Sequence, residues 1–82
     1  MTIYIQPFSP PIIINLDGKD LRGINLKETN LSGSSFRNAD LSGATLYACD
    51  LRNCDFTGAN LEGADLREAD LQGANLERAD LD

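Results

Sequence analysis

The 82-residue chain has no histidine and no tryptophan, a single methionine, two cysteines, and three prolines that all fall within the first eleven positions. Without histidine there is no Ser-His or Cys-His pair, so no catalytic residue is assigned and no enzyme is expected. Two cysteines with no histidine cannot complete a zinc site, and no metal or cofactor ligand set is assigned. Long apolar runs are missing too. The run Ile12-Ile13-Ile14 falls far short of the ~20 residues that cross a bilayer. The first residues lack the basic start and longer apolar stretch of a secretory signal, so a cytoplasmic location is expected, with no membrane contact. Positive charge is scarce: seven Lys and Arg stand against thirteen Asp and Glu, for a net charge of −6. Residues 1–40 balance to zero and all of the surplus lies in residues 41–82, which makes nucleic acid an improbable direct ligand.

In place of these features the chain has a period of five. Leu or Phe occupies every fifth position from Leu16 to Leu81. The residue two before it is mostly small, as at Ala39, Ala44, Cys49, Cys54 and Ala59. The residue just before it is mostly Asp or Asn, and the second after it is often Gly. A helix advances about 500° in five residues and would scatter these side chains around its barrel. A straight strand would send alternate ones into water. Within a unit, however, the small residue and the Leu lie two apart, which is strand spacing with both on one side. The chain therefore runs extended for about three residues and then turns. Four right-angle turns close a square coil of twenty residues. Such coils stack as parallel strands ~4.8 Å apart, with right-handed crossovers.

Two features of the sequence favour twenty residues per coil. Phe36 and Phe56 are twenty apart, so they stack in one column between Leu16 and Leu76, the expected core stack. All seven Gly occupy the second position after a central Leu or Phe, where a type II turn needs positive φ, and Asn38 and Asn53 fill the same slot. Glu28, Ala48 and Glu68 form one column without Gly or Asn. That face is expected to turn differently, by type I or an irregular turn.

Units such as Ala39-Asp40-Leu41-Ser42-Gly43, Ala59-Asn60-Leu61-Glu62-Gly63 and Ala74-Asn75-Leu76-Glu77-Arg78 resemble the pentapeptide repeat family, whose pattern is Ala-(Asp/Asn)-Leu-x-x. The resemblance covers residues 14–82. It implies an all-β fold, a right-handed quadrilateral parallel β-helix, in agreement with the geometry above; residues 16–82 give about three and a third coils, roughly 16 Å of stacked height. The departures are Ile14, Lys19, Ile24, Thr29 and Ser34 in the small inward slot, with Lys19 expected to snorkel past the terminal coil to water. Some members of the family are implicated in binding type II topoisomerase by imitating duplex DNA. The resemblance thus offers an acidic DNA-mimic inhibitor or protector of such an enzyme as the alternative function, although that activity belongs to longer, dimeric rods. The leading reading is a non-enzymatic structural or protein-interaction module for an unknown protein partner.

The remaining residues divide the chain and suggest its contact surfaces. Residues 1–15 lie outside the repeat, and solenoids need their terminal coil covered. They are expected to cap residues 16–82, with Phe8 and the Ile residues on the open Leu layer. Cys49 and Cys54 take the small inward slot as buried hydrophobes. Asp20 with Asp40, and Asp50 with Asp70, stack in the outward slot; a solvated polar face is preferred there over a cation site or a coupled titrating pair. Lys27, Tyr47 and Arg67 share an outward column, and Tyr and Arg are enriched at interface centres; this is the candidate partner face. The alternative for that face is local charge balance, Lys27 with Glu28 and Arg67 with Glu68. At the lower end, Leu66, Leu71, Leu76 and Leu81 are left as an open layer. A homodimer through this C-terminal coil is expected there, or continuation of the rod on another chain.

Overall fold

The computed structural model describes residues 10–82, and every parallel bridge in it joins residues twenty apart, from Asn15 with Ser35 to Asn60 with Asp80. A constant parallel offset of twenty makes a coil of four five-residue units, and the chain winds as a right-handed quadrilateral β-helix. The first face carries the units centred on Leu16, Phe36, Phe56 and Leu76; the second carries Leu21, Leu41, Leu61 and Leu81. The third carries Leu26, Leu46 and Leu66, and the fourth Leu31, Leu51 and Leu71.

Each unit is tied to the coil below by the same few bonds. On the first face, the Phe36 N–H donates to the Asp55 carbonyl at 2.7 Å and the Asn38 N–H to that of Thr57 at 2.9 Å, while the Asp55 N–H reaches back to the Ser34 carbonyl at 3.0 Å. The corner is closed by the Ala39 N–H on the Phe36 carbonyl at 3.1 Å. Only the second turn residue has positive φ, which defines a type II turn.

The column Glu28, Ala48 and Glu68 departs from the expectation of a different turn. These residues stand at φ 60°, 57° and 60°, and their corners close like the others, with Thr29, Cys49 and Ala69 donating to Leu26, Leu46 and Leu66. The reason lies between coils. The Glu28 and Ala48 N–H groups donate to the Tyr47 and Arg67 carbonyls, each at 2.9 Å. A type I corner would aim those donors elsewhere and leave backbone groups unpaired. In these two coils the ladder overrides local preference; Glu68 and Arg78, at φ 60° and 58°, keep the same corner with no backbone acceptor for their N–H groups among the described residues.

Asp and Asn before the central residue also gain a local explanation. Their side-chain oxygens accept the N–H two residues on, as in Asp40 with Ser42 at 3.1 Å and Asn60 with Glu62 at 3.0 Å. This Asx bond satisfies an outward donor that no neighbouring coil reaches.

The bore is filled by side chains. Phe36 and Phe56 are fully buried and stacked, with ring centroids 4.9 Å apart and planes 7° from parallel; Leu16 and Leu76 flank them, each partly buried. Among the described residues, no buried side-chain polar atom lacks a partner. Ser34 shows how the upper end uses its departures from Ala. Its hydroxyl donates to the Ile12 carbonyl at 2.7 Å and accepts the Ile14 N–H at 3.1 Å. With the Ile12 N–H on the Asn30 carbonyl at 3.2 Å, these bonds hold residues 12–14 above the fourth face. Ile12 and Ile14 pack on the core, whereas Ile13 points out and is 72% exposed. The rest of the expected cap, Phe8 included, lies outside the described residues.

Candidate interaction surface

The third face differs chemically from its neighbours. Because its units stack at twenty-residue spacing, Lys27, Tyr47 and Arg67 form a vertical ladder with the aromatic ring in the middle. The Lys27 Nζ lies 5.9 Å from the ring centroid and the Arg67 guanidinium carbon 5.5 Å from it, both within cation–π range. The Tyr47 hydroxyl donates to Glu68 Oε2 at 2.8 Å. That bond and the Glu68 charge raise the tyrosine pKa above its ordinary value.

The local charge balance differs from the pairs suggested by the sequence. Arg67 does not pair with Glu68. It forms a two-pronged contact with Asp65, Nε to Oδ1 and Nη2 to Oδ2, both at 2.9 Å. The Asx slot explains the choice: Asp65 already accepts the Arg67 N–H at 3.1 Å, so its carboxylate sits where the guanidinium passes. The Arg67 side-chain and backbone bonds hold the Asp65 pKa at about 2. Lys27 makes no ion pair with Glu28, and among the described residues no carboxylate pairs with its ammonium. Lys27, Thr45, Tyr47, Asp65 and Arg67 line an open depression of about 390 Å³. Sequence reasoning missed Thr45 and Asp65 as members of this face, although the twenty-residue column map places both beside Tyr47, and it named Glu68 as a partner of Arg67 where the structure pairs it with the Tyr47 hydroxyl.

Other candidates resolve into structure. The same aspartate–arginine geometry recurs at Asp20 with Arg22 and Asp50 with Arg52, both at 2.7 Å. The Arg22 bonds bring Asp20 to a pKa of about 2, and the Arg52 bonds lower that of Asp50. The Asp20–Asp40 and Asp50–Asp70 rungs are bridge partners, and no cluster of three or more metal-ligating side chains occurs among the described residues. Cys49 and Cys54 are free and buried, their thiols donating to the Leu26 and Leu31 carbonyls at 2.8 and 3.0 Å. Burial raises both thiol pKa values, that of Cys54 to about 11. At the lower end Leu66, Leu71 and Leu76 are partly buried, and Leu81 is 54% exposed.

A family model for pentapeptide repeats matches residues 14–53 and 44–82, with eight copies of the repeat. The chain belongs to the pentapeptide repeat family. Among solved structures it is similar to alr5209, a pentapeptide repeat protein from Nostoc Pcc 7120, at 43% identity and a TM-score of 0.55, over 73% of this chain and 54% of that one. A pentapeptide repeat protein from the Arabidopsis thaliana thylakoid lumen matches at 36% identity and a TM-score of 0.44, over 80% and 63%. HetL from Nostoc sp. strain PCC 7120, a pentapeptide repeat protein involved in heterocyst differentiation regulation, matches at 30% identity and a TM-score of 0.38, over 80% and 38%. The chain thus spans less than two thirds of the length of each of these neighbours. No curated protein sequence matches it. Within this pentapeptide repeat chain the third face is distinctive in carrying an aromatic outward rung between two cations.

Proposed function

We propose that this pentapeptide repeat chain is a non-enzymatic protein-interaction module that meets its partner through the third face. One observation carries the reading. Gly or Asn fills every described left-handed corner on the second and fourth faces, and three of four on the first, while the third face has Glu28, Ala48 and Glu68. Left-handed backbone is costly for residues with a Cβ and persists where the surroundings hold it. That cost falls on the face that also presents Lys27, Tyr47 and Arg67 around the depression. Tyr and Arg supply large contact area at interface centres. Affinity capture from the native host tests the proposal, using the wild-type chain, Tyr47→Ala and a second-face control, Glu62→Gln. A protein held by wild type and control and lost with Tyr47→Ala supports it. Equal retention by all three baits sinks it.

A second reading, an acidic mimic of duplex DNA acting on a type II topoisomerase, is favoured by the second face. There Asp40, Glu62, Asp80 and Asp82 have no cation paired with them among the described residues. A gyrase supercoiling assay decides it: no inhibition and no protection at saturating protein removes the reading.

The lower coil is the second contact surface in our proposal. A second copy covers Leu66, Leu71, Leu76 and Leu81 bottom to bottom, unless further coils on another chain take that place. Acidic groups around it repel, so added salt should tighten the dimer as it screens them. Sedimentation across a salt series checks this, and a monomer at every ionic strength refutes it. The free, buried Cys49 and Cys54 support a reducing compartment, the cytoplasm in this reading.

A further inference from the structure

We propose that the depression on the third face takes a carboxylate from an aspartate or glutamate side chain of a partner protein, with the Tyr47 backbone N–H, the Thr45 hydroxyl and the Lys27 ammonium as its donors. The inference rests on the third face being the contact surface and names the chemistry met there. In each unit the N–H just after the central Leu or Phe faces outward and needs a side-chain acceptor. Asn25 takes it from Lys27 at 3.0 Å, Asp50 from Arg52 at 3.2 Å and Asp65 from Arg67 at 3.1 Å. The other Asp and Asn residues of that slot do the same. Ser35 breaks the pattern, and there Asp17 in the coil above supplies the oxygen, accepting the Arg37 N–H at 2.9 Å. Thr45 is the second break, and nothing takes its place. Neither the Tyr47 N–H nor the Thr45 hydroxyl has a hydrogen-bond partner among the described residues.

The neighbouring units show what the Thr45 position lacks. Asp50 and Asp65 each place one carboxylate oxygen on the N–H two residues on and the other on a guanidinium, at 2.7 Å from Arg52 and 2.9 Å from Arg67. At Thr45 the donors remain and the carboxylate is missing, and an open depression of about 390 Å³ lies there, lined by Lys27, Thr45, Tyr47, Asp65 and Arg67. Its one acid, Asp65, is already held by Arg67, and Glu68 is taken by the Tyr47 hydroxyl. The Lys27 ammonium, 5.9 Å from the ring centroid, has no ion pair among the described residues. A carboxylate suits this set because bonds from amide and ammonium donors to an ionised acceptor are roughly twice as strong as neutral ones. The net charge of −6 repels an acidic partner at long range. Salt screens that field while leaving the contact-range bonds in place.

Amide NMR of the isotope-labelled chain at about 0.15 M salt tests the idea, by titration with a blocked glycine peptide carrying a single aspartate and with its asparagine twin. The Tyr47 amide should shift saturably with the aspartyl peptide, and the asparaginyl peptide should bind at least about tenfold more weakly. Thr45→Asn supplies the acceptor from within the chain, as Asn25 does one coil above. That variant should melt no lower than wild type and lose the saturable shift. Lys27→Gln leaves the Tyr47 N–H open and should weaken aspartyl binding about tenfold. The proposal is overturned by a Tyr47 amide that does not move, by equal binding of the two peptides, or by undiminished binding to folded Thr45→Asn. Failure of the third-face reading looks different: a captured protein is then held equally by wild type and Tyr47→Ala. A protein lost with Tyr47→Ala but kept by Thr45→Asn leaves the face standing and overturns the carboxylate.

Discussion

Ala48 and Gly58 should respond in opposite directions to the same pair of residues. Ala48 holds φ 57° at a corner whose N–H donates to the Arg67 carbonyl at 2.9 Å, so its backbone is fixed in the left-handed region. That conformation costs an L-residue about 1–2 kcal/mol. Replacing Ala48 by Gly removes the cost but adds about 0.5–1 kcal/mol of chain entropy to the unfolded state. The balance is a gain of about 0.5–1 kcal/mol, which raises the melting temperature by a few degrees in a domain this small. Gly58→Ala runs the other way. It takes on the left-handed cost, and its new Cβ would collide with the Asn38 side-chain oxygen in the coil above. A loss of about 1–3 kcal/mol is expected. Urea titrations of wild type, Ala48→Gly and Gly58→Ala at neutral pH, followed by circular dichroism, give both signs. A destabilised Ala48→Gly would refute the argument, since the corner would then not be a site of strain.

Phe36→Ala removes one of two stacked, fully buried rings and should cost about 3–5 kcal/mol, a large share of the margin of a small domain; a urea midpoint within error of wild type would contradict it. Asp20 and Asp65 are held at about pH 2 by Arg22 and Arg67, below their unfolded values, so their contribution is present above pH ~4 and lost as pH falls toward 2. Melting temperatures of wild type and Arg67→Gln from pH 6 to pH 2 should therefore converge at the acid end. Cys54, with its thiol raised to about 11, should resist iodoacetamide at pH 8 and react once urea unfolds the chain, and rapid labelling of the native protein would show that the bore opens. The same shift should weaken stability as pH rises from ~9 toward 11, because only the unfolded thiol ionises in that window.

The fold was legible because one requirement is repeated in every unit. Most central Leu and Phe residues have a small residue two before them in the bore, with Ile24 buried there as a larger exception, and the phenylalanines twenty apart at 36 and 56 announce how many units close a coil. Corners were less legible. Composition at Glu28, Ala48 and Glu68 argued for a different turn, and the inter-coil bonds of the Glu28 and Ala48 N–H groups impose the same one on the upper coils. Local preference is worth about 1 kcal/mol per residue, and leaving a buried donor unpaired costs about 1–3 kcal/mol, so the ladder wins. The Asp and Asn column was readable as a repeat, yet its task, accepting the N–H two residues on, emerged only with coordinates.

The same comparison of costs explains why the candidate site is harder to read than the fold. A bore position tolerates few side chains, so its chemistry is dictated by the coil. An outward rung is free to vary, and only its neighbours one coil above and below give it meaning. Tyr47 in isolation is an exposed aromatic. Set between Lys27 and Arg67, with its hydroxyl on Glu68, it becomes a fixed rung whose ring faces both lie beside cations. A partner would therefore meet the ring edge, the Lys27 ammonium and the open depression, while the Asp65–Arg67 pair holds the lower wall. On this geometry, Asp65→Asn should release Arg67 and loosen that wall while leaving the core stack intact. A binding loss there, measured well below the melting temperature of the variant, would separate the task of the third face from that of the coil that carries it.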